Sequence, residues 1–224
     1  MLPRVLEPEV MDTEEEARDY DAMEHGDVNR SFAEAFFAFV GASAPPQRLL
    51  DVGTGTALIP LELCRQNRSV HVTGVDLAAH MLAVGRENLA RSELAARIEL
   101  TLVDAKSLPF ADGAFDAVLS NSIVHHIPDP AVAFREMLRV ARRVLFVRDL
   151  LRPEDEAELD QLVRLHGGTP GTEQQRRQVR LFDASLRAAL TLAEVRTMVA
   201  PLGIPESAVQ RTSDRHFTLA HAKA

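Results

Sequence analysis

The stretch Leu49-Leu50-Asp51-Val52-Gly53-Thr54-Gly55 constrains this chain more than any other. Arg48 to Val52 is short, apolar and followed at once by glycine, the pattern of a buried strand; Leu58, Leu61 and Leu63 then recur at helical spacing. The glycines therefore sit at a strand-to-helix turn. There the chain bends sharply and a ligand can approach the main chain, which residues without a β-carbon permit without strain.

Such a turn can hold NAD, FAD or the adenosyl part of S-adenosylmethionine (SAM). A dinucleotide fingerprint wants a third glycine for close helix packing, and Leu58 fills that place. Asp51 would repel a pyrophosphate and attract an aminoacyl ammonium, which SAM carries. A second candidate strand, Val70 to Val75, ends in Asp76, an acid roughly 20 residues past the turn that can accept hydrogen bonds from ribose hydroxyls. Ile98 to Val103 and Phe115 to Ser120 read as further strands, ending in Asp104-Ala105 and Asn121. In a parallel sheet these four ends line one crevice.

These motifs resemble those of class I SAM-dependent methyltransferases, of the small-molecule type found in ubiquinone and menaquinone biosynthesis. The resemblance rests on Leu50 to Gly55, Gly74-Val75-Asp76-Leu77 with Met81-Leu82, Asp104-Ala105, Leu108 to Val118, and His125-His126-Ile127-Pro128-Asp129-Pro130. It covers Gln47 to Val147. It implies an α/β fold, a Rossmann-like three-layer sandwich whose seven-stranded, mostly parallel sheet ends in an antiparallel strand pair and carries helical additions. It also implies that Asp51, Gly53 and Gly55 hold the methionine part of SAM, Asp76 the ribose, and Asp104 and Ala105 the adenine, with Asn121 near the sulfonium and Thr54 and Leu77 as further cofactor-binding residues. Family members often carry glycine where this chain has Ala57, and alanine is small enough to be tolerated.

Direct displacement at a methyl carbon asks chiefly for positioning and exclusion of water, and for a base only with some acceptors. His125 and His126 are the candidate catalytic residues, because they follow the fourth strand on the cofactor edge. His25, Asn29 and Arg30, with Arg148 and Asp149 after the fifth strand, are candidate acceptor contacts. No metal is expected: the two histidines are adjacent, and no further ligand stands nearby at metal-binding spacing. Catalysis is then expected to survive a chelator.

Around this core the chain reads as one domain. Thr13 to Val40 is expected as a helical cap, Ala141 to Val147 as a fifth strand, and residues 150–190 as a helical insert over the acceptor. The insert's Gln175 to Arg180 is a solvated helix face or a clamp for an anion. Thr191 to Glu194 has capping-box spacing and opens a final helix, followed by strands Ala208 to Thr212 and His216 to Ala220. The 224 residues are 46% hydrophobic, enough for one large core, and lack an apolar run of membrane-spanning length. Net charge of −8 disfavours nucleic acid as a partner. No secretory signal is evident, so a cytoplasmic protein acting on a small molecule is expected, of unspecified oligomeric state. The single Cys64 excludes an intrachain disulfide and reads as a core residue. An NAD-linked oxidoreductase and a SAM-binding regulator without turnover are the alternatives.

Overall fold

A computed structural model describes residues 1–10, 12–23, 26–41, 46–168 and 171–223. Five parallel strands form the centre of the sheet: β1 (Arg48–Val52), β2 (His71–Asp76), β3 (Ile98–Leu102), β4 (Phe115–Asn121) and β5 (Ala141–Leu150). β6 (Val209–Arg211) and β7 (His216–Ala222) complete it antiparallel. The order is β3-β2-β1-β4-β5-β7-β6. It reverses between β1 and β4, and a ligand crevice forms at the carboxyl ends of strands on either side of such a reversal.

Helices cover both faces, since each face of a parallel sheet is apolar and must be buried. On one, α2 (Gly26–Val40) and α3 (Leu58–Gln66) enclose a cluster in which Phe32 and Phe36 meet Phe146 edge-on, ring centres 5.5 and 5.7 Å apart. On the other, α5 (Pro130–Val140) and α8 (Leu192–Val199) bury Phe134, Met137, Val195 and Val199. Cys64 is buried in the first cluster, as expected of a core residue. The Thr191 capping box also forms, its hydroxyl accepting from the Glu194 N–H and the Glu194 carboxylate accepting from the Thr191 N–H.

Two expectations change, and the insert's solvated arginine face acquires intramolecular partners. The expected cap helix is two helices: α1 (Glu14–Asp21), opened by a Thr13 capping box, and α2. They serve different places, α1 packing on α4 (Ala79–Ala90) beside the crevice and α2 lying on the sheet, which one straight rod could not do. The fifth strand runs three residues past Val147, so Arg148 and Asp149 lie within β5 rather than after it. A polar pair does not end this strand because both its edges are occupied, by β4 and β7, and Asp149 is neutralised within the core. The arginine run of the insert, on α7 (Glu173–Ala188), is spent on structure: Arg176 and Arg180 pair with Glu173, and Arg177 with Glu15 and Asp19 of α1. The insert's other helix, α6 (Glu156–His166), shares with α7 a small core of Leu159, Leu162 and Leu186.

No helix among the described residues is long and apolar enough to cross a membrane.

Candidate active site

A crevice opens at the carboxyl ends of β1, β2, β3 and β4, lined by Gly53, Gly55, Asp76, Leu77, Asp104, Ala105 and Asn121 from the sequence-derived set. The turn that forms its floor is fixed to β2. The N–H groups of Gly53 and Thr54 both donate to the Val75 carbonyl, at 2.8 and 2.9 Å. Asp76 closes the arrangement, one carboxylate oxygen accepting from Gly55 N–H at 2.7 Å and the other from Ala78 N–H at 2.9 Å. A carboxylate offers about four acceptor sites, more than the turn uses, so Asp76 can shape the turn and still accept a ligand hydroxyl.

Asp51 and Thr54 stand behind this lining. Thr54 is buried between β1 and β2, close enough to Gly74 that a β-carbon there would strike its hydroxyl. Asp51 is 1% exposed, and its Oδ2 has no hydrogen-bond partner among the described residues. Burial, and secondarily the neighbouring Asp76 charge, raises its pKa to about 7. A buried carboxylate left in this state is poised to accept a cation, which would restore the charged form. Asn121 Oδ1 is a second buried acceptor with no partner among the described residues.

The crevice is covered by α1, part of the expected cap, and by residues 1–10, for which no covering role is expected from the sequence. Tyr20 of α1, Glu9 and Val10 line it. Residues 1–10 form a strap whose anchors are long-range. The Arg4 guanidinium donates to the carbonyls of His125, Ile127 and Ala188 at 3.0, 3.0 and 2.8 Å, and Val5 N–H donates to the Arg187 carbonyl. Lys106 pairs with both Glu9 and Asp104, tying the strap to the end of β3.

The histidines divide. His126 lines the crevice, whereas His125 is 2% exposed, its Nδ1 2.5 Å from Asp149 Oδ1. Asp149 is wholly buried and is held in turn by the N–H groups of Val124 and Leu150. Burial opposes charge on His125, but Asp149 and then Glu7 outweigh it and raise its pKa. His126 is pushed down to about 3, first by burial and then by His125.

The proposed acceptor contacts do not converge on this crevice. Asp149 orients His125 and is closed to a ligand. Arg148 points to the opposite sheet face, over the Phe32 ring at 5.6 Å, and borders a separate hollow with Ser31, Arg215 and His216. Arg30 is exposed beside Asp27, and neither it nor Asn29 borders either hollow. His25 lies outside the described residues.

Strand order, glycine turn and crevice together define the fold of class I SAM-dependent methyltransferases. Residues 50–144 match the family model described as a methyltransferase domain. The ubiquinone/menaquinone biosynthesis C-methyltransferase of Geotalea daltonii is 35% identical over 100 residues, 44% of this chain and 43% of that protein. The malonyl-acyl-carrier-protein O-methyltransferase of Geobacter sulfurreducens is 38% identical over 130 residues, covering 58% and 45%. The match thus spans less than half the length of these curated relatives. A SAM-dependent methyltransferase structure from Methanococcus maripaludis superposes with a TM-score of 0.71 at 18% identity, over 98% of this chain and 97% of that one. The plantazolicin methyltransferase BpumL, solved with S-adenosylhomocysteine, gives 0.67 at 16% identity, over 88% and 73%. At these identities the solved structures establish likeness of fold.

Proposed function

We propose that this protein transfers a methyl group from SAM to a small-molecule acceptor. The observation that carries the reading is the Asp51 carboxylate, buried behind the glycine turn of a crevice that presents Asp76 and an Asn121 oxygen with no partner among the described residues. These are acceptors suited to an ammonium, a ribose and a sulfonium-bearing chain. SAM would bring the electrophilic methyl carbon. The protein's part is to hold and to dry: Asp51 attracts the ammonium, Asp76 accepts from the ribose, Asp104 and Ala105 border the adenine, and Tyr20 with the strap excludes water. His126, at the crevice wall, is the histidine placed to meet an acceptor. An acceptor that is already nucleophilic needs no proton removed, so in-line positioning supplies most of the acceleration.

An NAD-linked reaction is disfavoured by Asp51 and Leu58, which oppose a pyrophosphate. A regulator that binds SAM without turnover shares the same crevice and is separated by assay. Calorimetric titration of ligand-free protein with SAM, S-adenosylhomocysteine and NAD is the test. Micromolar binding of the first two alone supports the reading, and binding of NAD alone would sink it. Methyl transfer to an acceptor pool then separates enzyme from regulator.

Asp76→Asn is expected to weaken SAM binding by about 1 to 3 kcal/mol, roughly 5- to 150-fold, because one of two acceptor oxygens becomes a donor. Unchanged affinity in the folded variant would remove Asp76 from the ribose site.

A further inference from the structure

His125 and His126 are adjacent, and their rings lie 4.1 Å apart at an angle of 36°. The strap brings Glu7 against both. Its Oε1 is 3.3 Å from His126 Nδ1 and 3.8 Å from His125 Nε2, and one donor atom from each of the three residues lies within 4.8 Å of the others. Glu7 Oε1 and His126 Nδ1 are buried, and neither makes a hydrogen bond of good geometry among the described residues. Two facing atoms so placed in a protein interior are costly unless a proton or a cation is shared between them.

We propose that Glu7, His125 and His126 form a binding site for a divalent transition-metal ion of the zinc type. Two borderline imidazole nitrogens with one hard carboxylate oxygen make a set that zinc accepts, whereas magnesium and calcium take all-oxygen sets. Bonds of about 2.0 to 2.2 Å in a tetrahedron place ligand atoms roughly 3.3 to 3.5 Å apart, so the Glu7–His126 spacing of 3.3 Å already fits, and the His125 ring, 3.8 Å from Glu7 and within 4.8 Å of the other donors, closes in on binding.

The surroundings agree. A metal-binding histidine characteristically gives its other ring N–H to a carboxylate, which fixes its tautomer. Asp149 does this for His125 at 2.5 Å, leaving Nε2 facing Glu7. Arg4 clamps the main chain of the same loop through the carbonyls of His125 and Ile127, so the two histidines are held before any ion arrives. Two carboxylates, Glu7 and Asp149, balance a dication. His126 also borders the crevice, so an ion bound here would lie beside the cofactor site. A part in methyl transfer rests on the methyl-transfer reading; the site itself does not. Sequence spacing could not show this cluster, since its third ligand lies more than a hundred residues away from the histidine pair.

The test uses the full chain, stripped with a chelator, dialysed and titrated separately with Zn²⁺ and Co²⁺. One equivalent per chain is expected, with the intense visible absorption of low-coordinate Co²⁺. Glu7→Gln and His126→Gln should each weaken binding at least tenfold, and Asp149→Asn by roughly 10- to 100-fold. Thermal melting and S-adenosylhomocysteine titration of the same samples confirm that each variant is folded. Absence of a stoichiometric equivalent, or equal affinity in folded Glu7→Gln, would overturn the proposal. The cofactor arm stands apart: S-adenosylhomocysteine binding without metal binding overturns the metal site alone, and metal binding without S-adenosylhomocysteine binding supports the site while overturning the cofactor reading.

Discussion

Asp51→Asn should make the ligand-free protein more stable near neutral pH and at the same time cost it most of its affinity for SAM. Burial first, and Asp76 second, hold the native Asp51 pKa at about 7 against an ordinary value of 3.8. A group whose pKa is raised on folding gives stability that is complete below its unfolded value and is lost as pH climbs through its folded one. The window here runs from about pH 4 to pH 7. A shift of about three units corresponds to about 4 kcal/mol as an upper figure. Asp76, raised chiefly by burial, adds in the same direction. Urea melts of wild type and Asp51→Asn at pH 5 and pH 8 should therefore differ, with the variant gaining relative stability at the higher pH.

Binding runs the other way. An ammonium is held by the charged carboxylate, so wild-type affinity should fall about tenfold for each unit below pH 7, as a proton must first leave. In Asp51→Asn the affinity at pH 7 should be lower by two orders of magnitude or more, since truncating one partner of a buried charge pair costs about 3 to 5 kcal/mol. Its remaining pH dependence should be flat over the same range. An identical pH slope in the two proteins would remove Asp51 from the ammonium site.

The two glycines of the turn should fail in different ways. At Gly53, φ is +76°, and an added β-carbon would lie 2.3 to 2.7 Å from three carbons of the Ile123 side chain. Gly53→Ala thus combines a left-handed conformation, costing about 1 to 2 kcal/mol, with overpacking of about 1 to 3 kcal/mol. A loss of roughly 2 to 5 kcal/mol in chemical denaturation is expected, partly restored by adding Ile123→Ala. At Gly55, φ is +52° but the nearest atom, Tyr20 Cε1, is 3.6 Å from the added carbon. Gly55→Ala should be destabilised only by the left-handed cost of about 1 to 2 kcal/mol and lose SAM binding, because its methyl group enters the crevice. Equal denaturation midpoints for Gly53→Ala and wild type would refute the packing argument.

Much of this architecture was legible because it is local. The strand–glycine–helix unit, the four polar strand ends and the Thr191 cap each depend on a few consecutive residues whose spacing carries the signal. Ala57, flagged only as a departure from glycine, sits at φ +65° and is fully buried, so it bears a left-handed cost the sequence could not reveal. What escaped was long-range. Residues 1–10 have no periodicity, and the partners of Arg4 and Glu7 lie on the loop after β4 and at the end of α7. Arg148 and Asp149 were placed beyond a strand by their polarity; alternation along β5 sends one toward Phe32 and the other toward His125. Tyr20, the chain's one tyrosine, was hidden by the expectation of a single cap helix.

The sheet order bears on the sequence in which a growing chain can complete itself. β7 pairs with β5 along Val144 to Leu150, yet it is made only after both insert helices and α8 have left the ribosome. Until then β5 has one open edge, flanked by apolar side chains such as Phe146 and Val147. Such an edge invites pairing with another nascent chain. Occupation of that edge by residues 216–222, with β6 beyond it, therefore protects each molecule against its neighbours as well as completing its sheet.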